Sequence, residues 1–399
     1  TKAERVVYIP MKVLDFDMGT VSRFRERLMA IGAELGLDDP VAPMLQGWSL
    51  PDNEYTRAAP PTVRHILSHT AGFTRSGVDS YTPEEPLPTL VQSLSGLPPS
   101  TEDPVDVVFT PGTDHSYSGG GYGVLQLLLT ERVGRSFDAL VDSLVFRPLG
   151  MERSLFPQPL PAALRPFAAM GHDGDGEPLP GGYETLPIMA AGGLWTTAPD
   201  LARFVAALQA AWRGDSRFLD RTTIREMMKE HADGWGLGLQ LEHHDGTLAF
   251  RHTGSGDGFK ALLIGFLGPD VGLVVLANSD GGGAIREEIL RAVAEEYQWP
   301  AYRDVVTHTL DRAVSPDDMR RLEGLYRWSS GLTNDVVYRD QALYTRFDQG
   351  QWDRLFPLSP TEFISLGEVT YRFTRGEDGT LTLHYIDATG TYTAVREDP

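Results

Sequence analysis

The sequence predicts an α+β fold: an antiparallel sheet flanked by helices and carrying a helical insertion, followed by a separate β domain. Three observations support this. Beyond Gly234 the chain changes to strand-like segments at Trp235–Leu241, Thr247–Arg251, Ala261–Leu267 and Val271–Ala277, with Gly268-Pro269-Asp270 as a turn between the last two. Residues from about 30 to 230 instead repeat their apolar positions at helical spacing between Pro- and Gly-rich loops. After Trp299-Pro300 and Ser315-Pro316, alternation runs to the C-terminus. The predicted domains are therefore 1–300, with the insertion at about 30–230, and 301–399.

The elements follow in order. Val6, Val7, Tyr8, Ile9, Val13 and Leu14 predict one or two short strands within Arg5–Phe16. Leu28, Met29, Ile31 and Leu35 recur at helical spacing until Gly36 and Asp38-Asp39-Pro40 end the helix. Pro51 to Pro111 reads as loops around a short helix near Thr62–Ser68. Gly123–Val133 predicts a helix closed by Gly134, and Phe137–Phe146 another that stops at Pro148-Leu149-Gly150. Thr197-Ala198-Pro199-Asp200 is a helix start, with threonine as cap, proline in the first turn and an early acidic residue. The helix at Ile285–Tyr297 is expected to cover one face of the sheet. In the C-terminal domain a short helical stretch, Asp317–Leu322, precedes strands at Val336–Tyr338, Ala342–Phe347, Glu362–Leu366, Thr370–Thr374, Thr380–Ile386 and Thr391–Val395. Gly376-Glu377-Asp378-Gly379 is the expected hairpin turn.

Composition narrows the function. The 399 residues are 41% apolar, enough for a large core. A net charge of −20 repels phosphate backbones and anionic lipid, so neither nucleic acid nor a membrane is an expected partner; a small molecule or short peptide is. Without cysteine there is no disulfide, thiol nucleophile or thiolate metal site. Thr1-Lys2-Ala3-Glu4-Arg5 carries no apolar signal core and no run reaches the apolar length of a membrane span, so a cytoplasmic protein is expected.

Two stretches concentrate polar chemistry at loop or strand edges. In Tyr117-Ser118-Gly119-Gly120-Gly121-Tyr122 a phenol precedes the glycine-rich start of an apolar helix. In His252-Thr253-Gly254-Ser255-Gly256-Asp257-Gly258-Phe259 an imidazole and hydroxyls lie along a strand. A phenol can shuttle a proton, and histidine can donate to an anion. Purely structural readings stand beside these: glycines for close helix packing, and a strand histidine that is merely solvated. His69, in Ser68-His69-Thr70-Ala71-Gly72-Phe73, is read as a structural loop former.

With that segment and Ala191-Gly192-Gly193-Leu194-Trp195-Thr196-Thr197, these motifs resemble the serine β-lactamase and penicillin-binding protein superfamily, in its class C β-lactamase-like esterase and D-aminopeptidase branch. The resemblance spans residues 5–300 and is tightest over Ile66–Leu155 and Ala190–Phe259. It implies a β-lactamase/transpeptidase-like fold and acyl transfer through a serine on small esters, amides or peptides, with no metal or organic cofactor. Tyr117 then takes the proton-shuttle position and Ser118 and Gly119 its loop, with Gly119 where asparagine is usual. His252-Thr253-Gly254 takes the Lys-Thr-Gly position, with Thr253 and Gly254 toward the substrate. Trp195 is read equally as cleft lining or core packing. The C-terminal segment resembles the lipocalin-like domain appended to many such esterases and peptidases.

The family's Ser-x-x-Lys pair is missing. The four lysines are Lys2, Lys12, Lys229 and Lys260, and none has a serine three residues before it. The nearest frames are Thr20-x-x-Arg23 and Ser22-x-x-Arg25, which leave Thr20 and Ser22 as candidate nucleophiles. Arginine stays protonated and cannot act as base, although Arg23 could orient an anion. Three readings stand side by side: a homologue that kept its cleft for binding or a non-covalent reaction such as cyclisation, a sequence lacking residues near 20–33, or a remaining hydroxyl served by Tyr117 and His252.

Overall fold

The computed structural model describes residues 7–9, 35–303, 308–328, 333–347, 352–365, 369–376, 379–387 and 390–397. Thr20, Ser22, Arg23 and most of the helix expected before Gly36 lie outside the described residues, as do Leu366 and Glu377-Asp378. The chain divides into two compact units, residues 1–303 and 304–399.

In the first unit, β3 (Gln240–His244), β4 (Thr247–Gly256), β5 (Phe259–Leu267) and β6 (Gly272–Ala277) form an antiparallel sheet in that order. Strand β5 is buried on both faces, and its side chains alternate between two cores. Ala261, Leu263 and Leu267 join the core that contains Leu201, Phe204, Val205 and Leu208 of the helix Ala198–Arg213. Leu262, Ile264 and Phe266 join the core that contains Leu290 and Ala294 of the helix Gly282–Glu296. One helix therefore covers each face, and each fully buried leucine or phenylalanine contributes about 1.5–3 kcal/mol relative to exposure. Gly265 provides the close approach: a Cβ there would lie 2.9 Å from Val205 Cγ1 and 2.4 Å from the Phe250 ring.

Two short strands, β1 (Val7–Ile9) and β2 (Leu194–Thr196), pair with each other. Between them the described chain is mostly helices and loops. We label α1 (Val63–Leu67), α2 (Gly119–Val133), α3 (Ala198–Arg213) and α4 (Gly282–Glu296). Helix α2 starts four residues before the expected Gly123, because Ser118 caps it and takes the Gly121 N–H at 3.0 Å. Low glycine propensity is outweighed there by packing: a Cβ on Gly119 would lie 2.8 Å from the Gly77 carbonyl oxygen. Trp235–Leu241 is not one strand. Only from Gln240 does the chain join the sheet, after a turn in which the amides of Gly236, Leu237 and Gly238 donate to the carbonyls of Leu239, Met227 and Leu67.

The second unit is a closed eight-stranded antiparallel barrel. Its strands are β7 (Gly324–Trp328), β8 (Thr333–Arg339), β9 (Ala342–Phe347), β10 (Trp352–Ser359), β11 (Glu362–Ser365), β12 (Thr370–Arg375), β13 (Leu381–Asp387) and β14 (Gly390–Arg396). Each pairs with the next, and β14 returns to β7 through Ala394 opposite Trp328. Tyr326, Leu343, Phe363, Phe373 and Leu383 fill its interior. Strands β7 and β10 were not expected from sequence; Pro357 masks β10 and sits where its register with β11 slips.

Thr197 caps α3 through the Asp200 N–H, as the sequence indicates. Asp200 is buried and satisfied: Oδ2 accepts from Arg153 N–H at 2.8 Å and Ser154 Oγ at 2.9 Å, and Oδ1 accepts from Arg203 at 2.6 Å. Asp200→Ala leaves buried donors without their acceptor and is expected to lower unfolding free energy by about 2–4 kcal/mol in urea titrations. Arg203→Ala removes only the half-exposed partner and should cost no more than about 1 kcal/mol.

Candidate active site

Tyr117 lies on the loop entering α2, and His69 holds that loop from both sides. The carbonyl of His69 accepts from Ser116 N–H at 2.8 Å, and its Nδ1 accepts from Ser118 N–H at 3.1 Å. A ring nitrogen that accepts from an amide carries no proton, so Nδ1 is the bare nitrogen. His69 is 2% exposed, adopts φ 57°, and its ring centroid is 4.4 Å from that of Tyr117. Ser118 Oγ donates to the Thr74 carbonyl at 2.8 Å while capping α2.

His252 comes from β4 and is also buried. Its Nδ1 lies 2.6 Å from the Thr253 carbonyl oxygen, and its Nε2 lies 3.4 Å from the Tyr117 hydroxyl. A carbonyl only accepts, so Nδ1 bears a proton and Nε2 is the ring nitrogen that faces the phenol. Trp235 packs across this pair, 5.4 Å from the Tyr117 ring and 5.8 Å from the His252 ring. Strand β3 pairs with β4 only as far as Arg251, whereas β5 continues to Gly256. Among the described residues, the β4 edge from His252 to Gly256 thus has a partner strand on one side only.

A cleft of about 350 Å³ lies along this edge, lined among others by Tyr117, Gly119, Gly192, Thr253 and Ser255. Two carboxyl groups, Glu184 and Asp257, share its wall. The Tyr81–Thr185 backbone pair sets Ser80 beside Glu184, and Ser80 Oγ donates to Glu184 Oε1 at 2.5 Å. Burial pushes the Glu184 carboxyl up from 4.5 to about 8; the Ser80 hydroxyl opposes the rise and the Asp257 charge adds to it. No cluster of three or more His, Asp or Glu suited to a metal is found among the described residues.

The structure therefore brings Tyr117, Ser118, Gly119, His252, Thr253 and Gly254 together, with Tyr117, Gly119 and Thr253 on the cleft itself. Trp195 is a correction. It is 0% exposed, its ring is 5.0 Å from that of Tyr183, and it packs with Leu160, Leu186 and Phe259, so it belongs to the core. Its neighbours Ala191 and Gly192 reach the cleft instead. Trp235 and Glu184 were missed because neither stands in a recognisable motif; Asp257 lies within the His252 stretch but was given no role. Lys260 donates to Asp280 at 2.6 Å and to the Gly256 carbonyl at 2.9 Å, so its ammonium is held in an ion pair.

A phenol–imidazole pair beside an open strand edge is equipped to move protons at a bound carbonyl. The family model described as Beta-lactamase matches residues 28–298, and the chain belongs to that family. Thr20, Ser22 and Arg23 precede the match. The chain is 26% identical over 340 residues to penicillin-binding protein 4 of Amycolatopsis lactamdurans, covering 79% of this chain and 85% of that one. It is 26% identical over 200 residues to a D-aminopeptidase of Gluconobacter oxydans, covering 47% of this chain and 35% of that one. The octameric penicillin-binding protein homologue from Pyrococcus abyssi superposes with a TM-score of 0.58 at 20% identity, covering 99% of this chain and 89% of that one; this likeness concerns the fold. Among the described residues no helix is long and apolar enough to cross a membrane.

The Glu184 carboxyl makes stability depend on pH. Unfolded, it ionises near 4.5; folded, it keeps its proton until about 8, so between these values the folded state binds more protons and stability falls as pH rises. Glu184→Gln should melt at the wild-type temperature near pH 4 and progressively above it toward pH 8. A difference that stays constant over that range would show that the carboxyl titrates normally.

Proposed function

We propose that the cleft transfers acyl groups from small esters, amides or short peptides, using Tyr117 and His252 as its proton relay. The observation that carries this reading is the Tyr117 hydroxyl placed 3.4 Å from His252 Nε2 at a cleft bounded by the one-sided edge of β4. When a nucleophilic hydroxyl attacks the substrate carbonyl, its proton passes to the Tyr117 oxygen as the phenol proton passes to His252 Nε2. A bond forms from the hydroxyl oxygen to the carbonyl carbon, and amides along the β4 edge receive the developing oxyanion. Reversal of the relay protonates the leaving alcohol or amine, and water then releases the acyl group by the same route. Ser22 and Thr20 are the candidate nucleophiles. The relative named as a D-aminopeptidase favours an amide with a D-configured residue, and Asp257 on the cleft wall suits its ammonium end. We also read the barrel as lipocalin-like, on its up-and-down order of eight strands.

A second reading rests on the absent Ser-x-x-Lys pair and the ion-paired Lys260: a cleft that binds such ligands without covalent chemistry. Kinetics on p-nitrophenyl butyrate, with intact-mass analysis after a fluorophosphonate probe, separate the two. We expect turnover on the order of 10²–10⁴ below that of a serine–lysine enzyme, because no neutral amine serves as base. We expect a single adduct lost in Ser22→Ala or Thr20→Ala, and a further fall of about 10² or more in Tyr117→Phe. No adduct, with a rate indifferent to all three substitutions, would overturn the hydrolase. Ligand binding lost in Tyr117→Phe or His252→Ala would then leave the binding cleft.

A further inference from the structure

The barrel holds its own cavity, of about 420 Å³, lined by Trp328, Phe347, Asp353, Tyr371, Tyr385 and Tyr392. Five of the six side chains are aromatic and the sixth is a carboxylate. They come from the ends of β7, β9 and β13 and the starts of β10, β12 and β14, which an up-and-down order brings to one end of the barrel. The apolar cluster around Tyr326, Phe363 and Phe373 fills the interior beyond them.

The rings are set as walls rather than as a stack. Tyr385 meets Trp328 at 6.1 Å and 78° and Tyr371 at 5.5 Å and 84°; Phe347 meets Trp328 at 62°. Trp328 is oriented from behind, its Nε1 donating to Asn334 Oδ1 at 3.1 Å. Asn334, itself buried, donates through Nδ2 to Thr345 Oγ1 at 2.6 Å. With the indole N–H so engaged, the ring is left to line the cavity. Phe347 and Tyr392 are about half exposed, which places them at the open rim.

Asp353 supplies the charge. It is exposed at the cavity mouth, and the protein crowded around it still raises its carboxyl from the usual carboxylate value. No ion pair to it occurs among the described residues; Arg346, on the adjacent strand, is paired with Asp335. Burial also raises the Tyr371 phenol, with Tyr385 and then the Asp353 charge adding to it. A negative group at the open mouth of an aromatic cavity lacks one thing, a positive charge that the ring faces can also attract. An ammonium rich in N–H would need acceptors all round. A methylated one needs none: its methyl groups pack on the rings while its charge meets the π faces and Asp353.

We propose that the barrel cavity binds a small organic cation of the methylated or quaternary ammonium class. This inference is independent of the reading of the Tyr117 cleft. Its test is calorimetric titration of the full chain with choline and with its uncharged carbon analogue, dimethylbutanol. Choline should bind saturably, about tenfold or more tighter than the analogue. Asp353→Asn should weaken choline by about tenfold and leave the analogue unchanged, and Phe347→Leu at the rim should weaken choline as well. Thermal melts identify variants that remain folded; should Trp328→Leu fail to fold, the Asp353 and Phe347 variants suffice. Equal affinity for choline and the analogue, no saturable choline binding at millimolar concentrations, or choline binding unchanged in both folded variants would overturn the proposal.

Discussion

Strand β5 has apolar side chains on both faces, so it can exist only where helices cover it twice. That requirement puts α3 against Ala261, Leu263 and Leu267, and α4 against Leu262, Ile264 and Phe266. It also puts β5 inside the sheet, with β4 and β6 on its two edges. Strand β4 then follows β5 over nine residues while β3 offers only five, and the difference leaves His252 to Gly256 paired on one side. The open edge along the cleft is thus a consequence of unequal strand lengths imposed by a doubly covered centre.

The other wall depends on smaller forces. Tyr117 is brought to His252 because His69 accepts from the amide after it and offers its carbonyl to the amide before it. The loop can lie so close because Gly119 leaves room for the Gly77 carbonyl. Neither device moves a proton. Each removes freedom from the phenol beside the imidazole, and orientation of that kind is what the proposed relay would require.

Much of this was legible in the residues, for physical reasons. The sheet and its covering helix showed in the change of period beyond Gly234, because β5 is long and apolar. Tyr117 and His252 showed because the stretches around them resemble the family's tyrosine loop and Lys-Thr-Gly strand. The start of α2 was hidden by its glycines, whose poor propensity is offset by tertiary contact that no local pattern displays. Trp195 stayed open between cleft and core since a tryptophan flanked by glycines and threonines looks the same in sequence whether it faces solvent or a core. Trp235 and Glu184 were invisible for the opposite reason: only the fold sets them beside Tyr117 and Ser80. Strand β10 was lost to Pro357, which a bulge accommodates.

The two cavities solve one problem in the same way. An aromatic or imidazole ring in a site must be fixed about its own axis, and apolar packing alone resists rotation weakly. In the cleft, His252 is fixed through Nδ1 by the Thr253 carbonyl, which leaves Nε2 for the phenol. In the barrel, Trp328 is fixed through Nε1 by Asn334, which leaves the indole ring for the cavity. In each case one polar atom is satisfied inside the protein and the remainder of the ring faces the Tyr117 phenol or the barrel cavity. The difference between the sites lies in what remains. A ring nitrogen that accepts a proton suits a reaction at a carbonyl, whereas ring faces around a carboxylate suit a charge that is held and not changed.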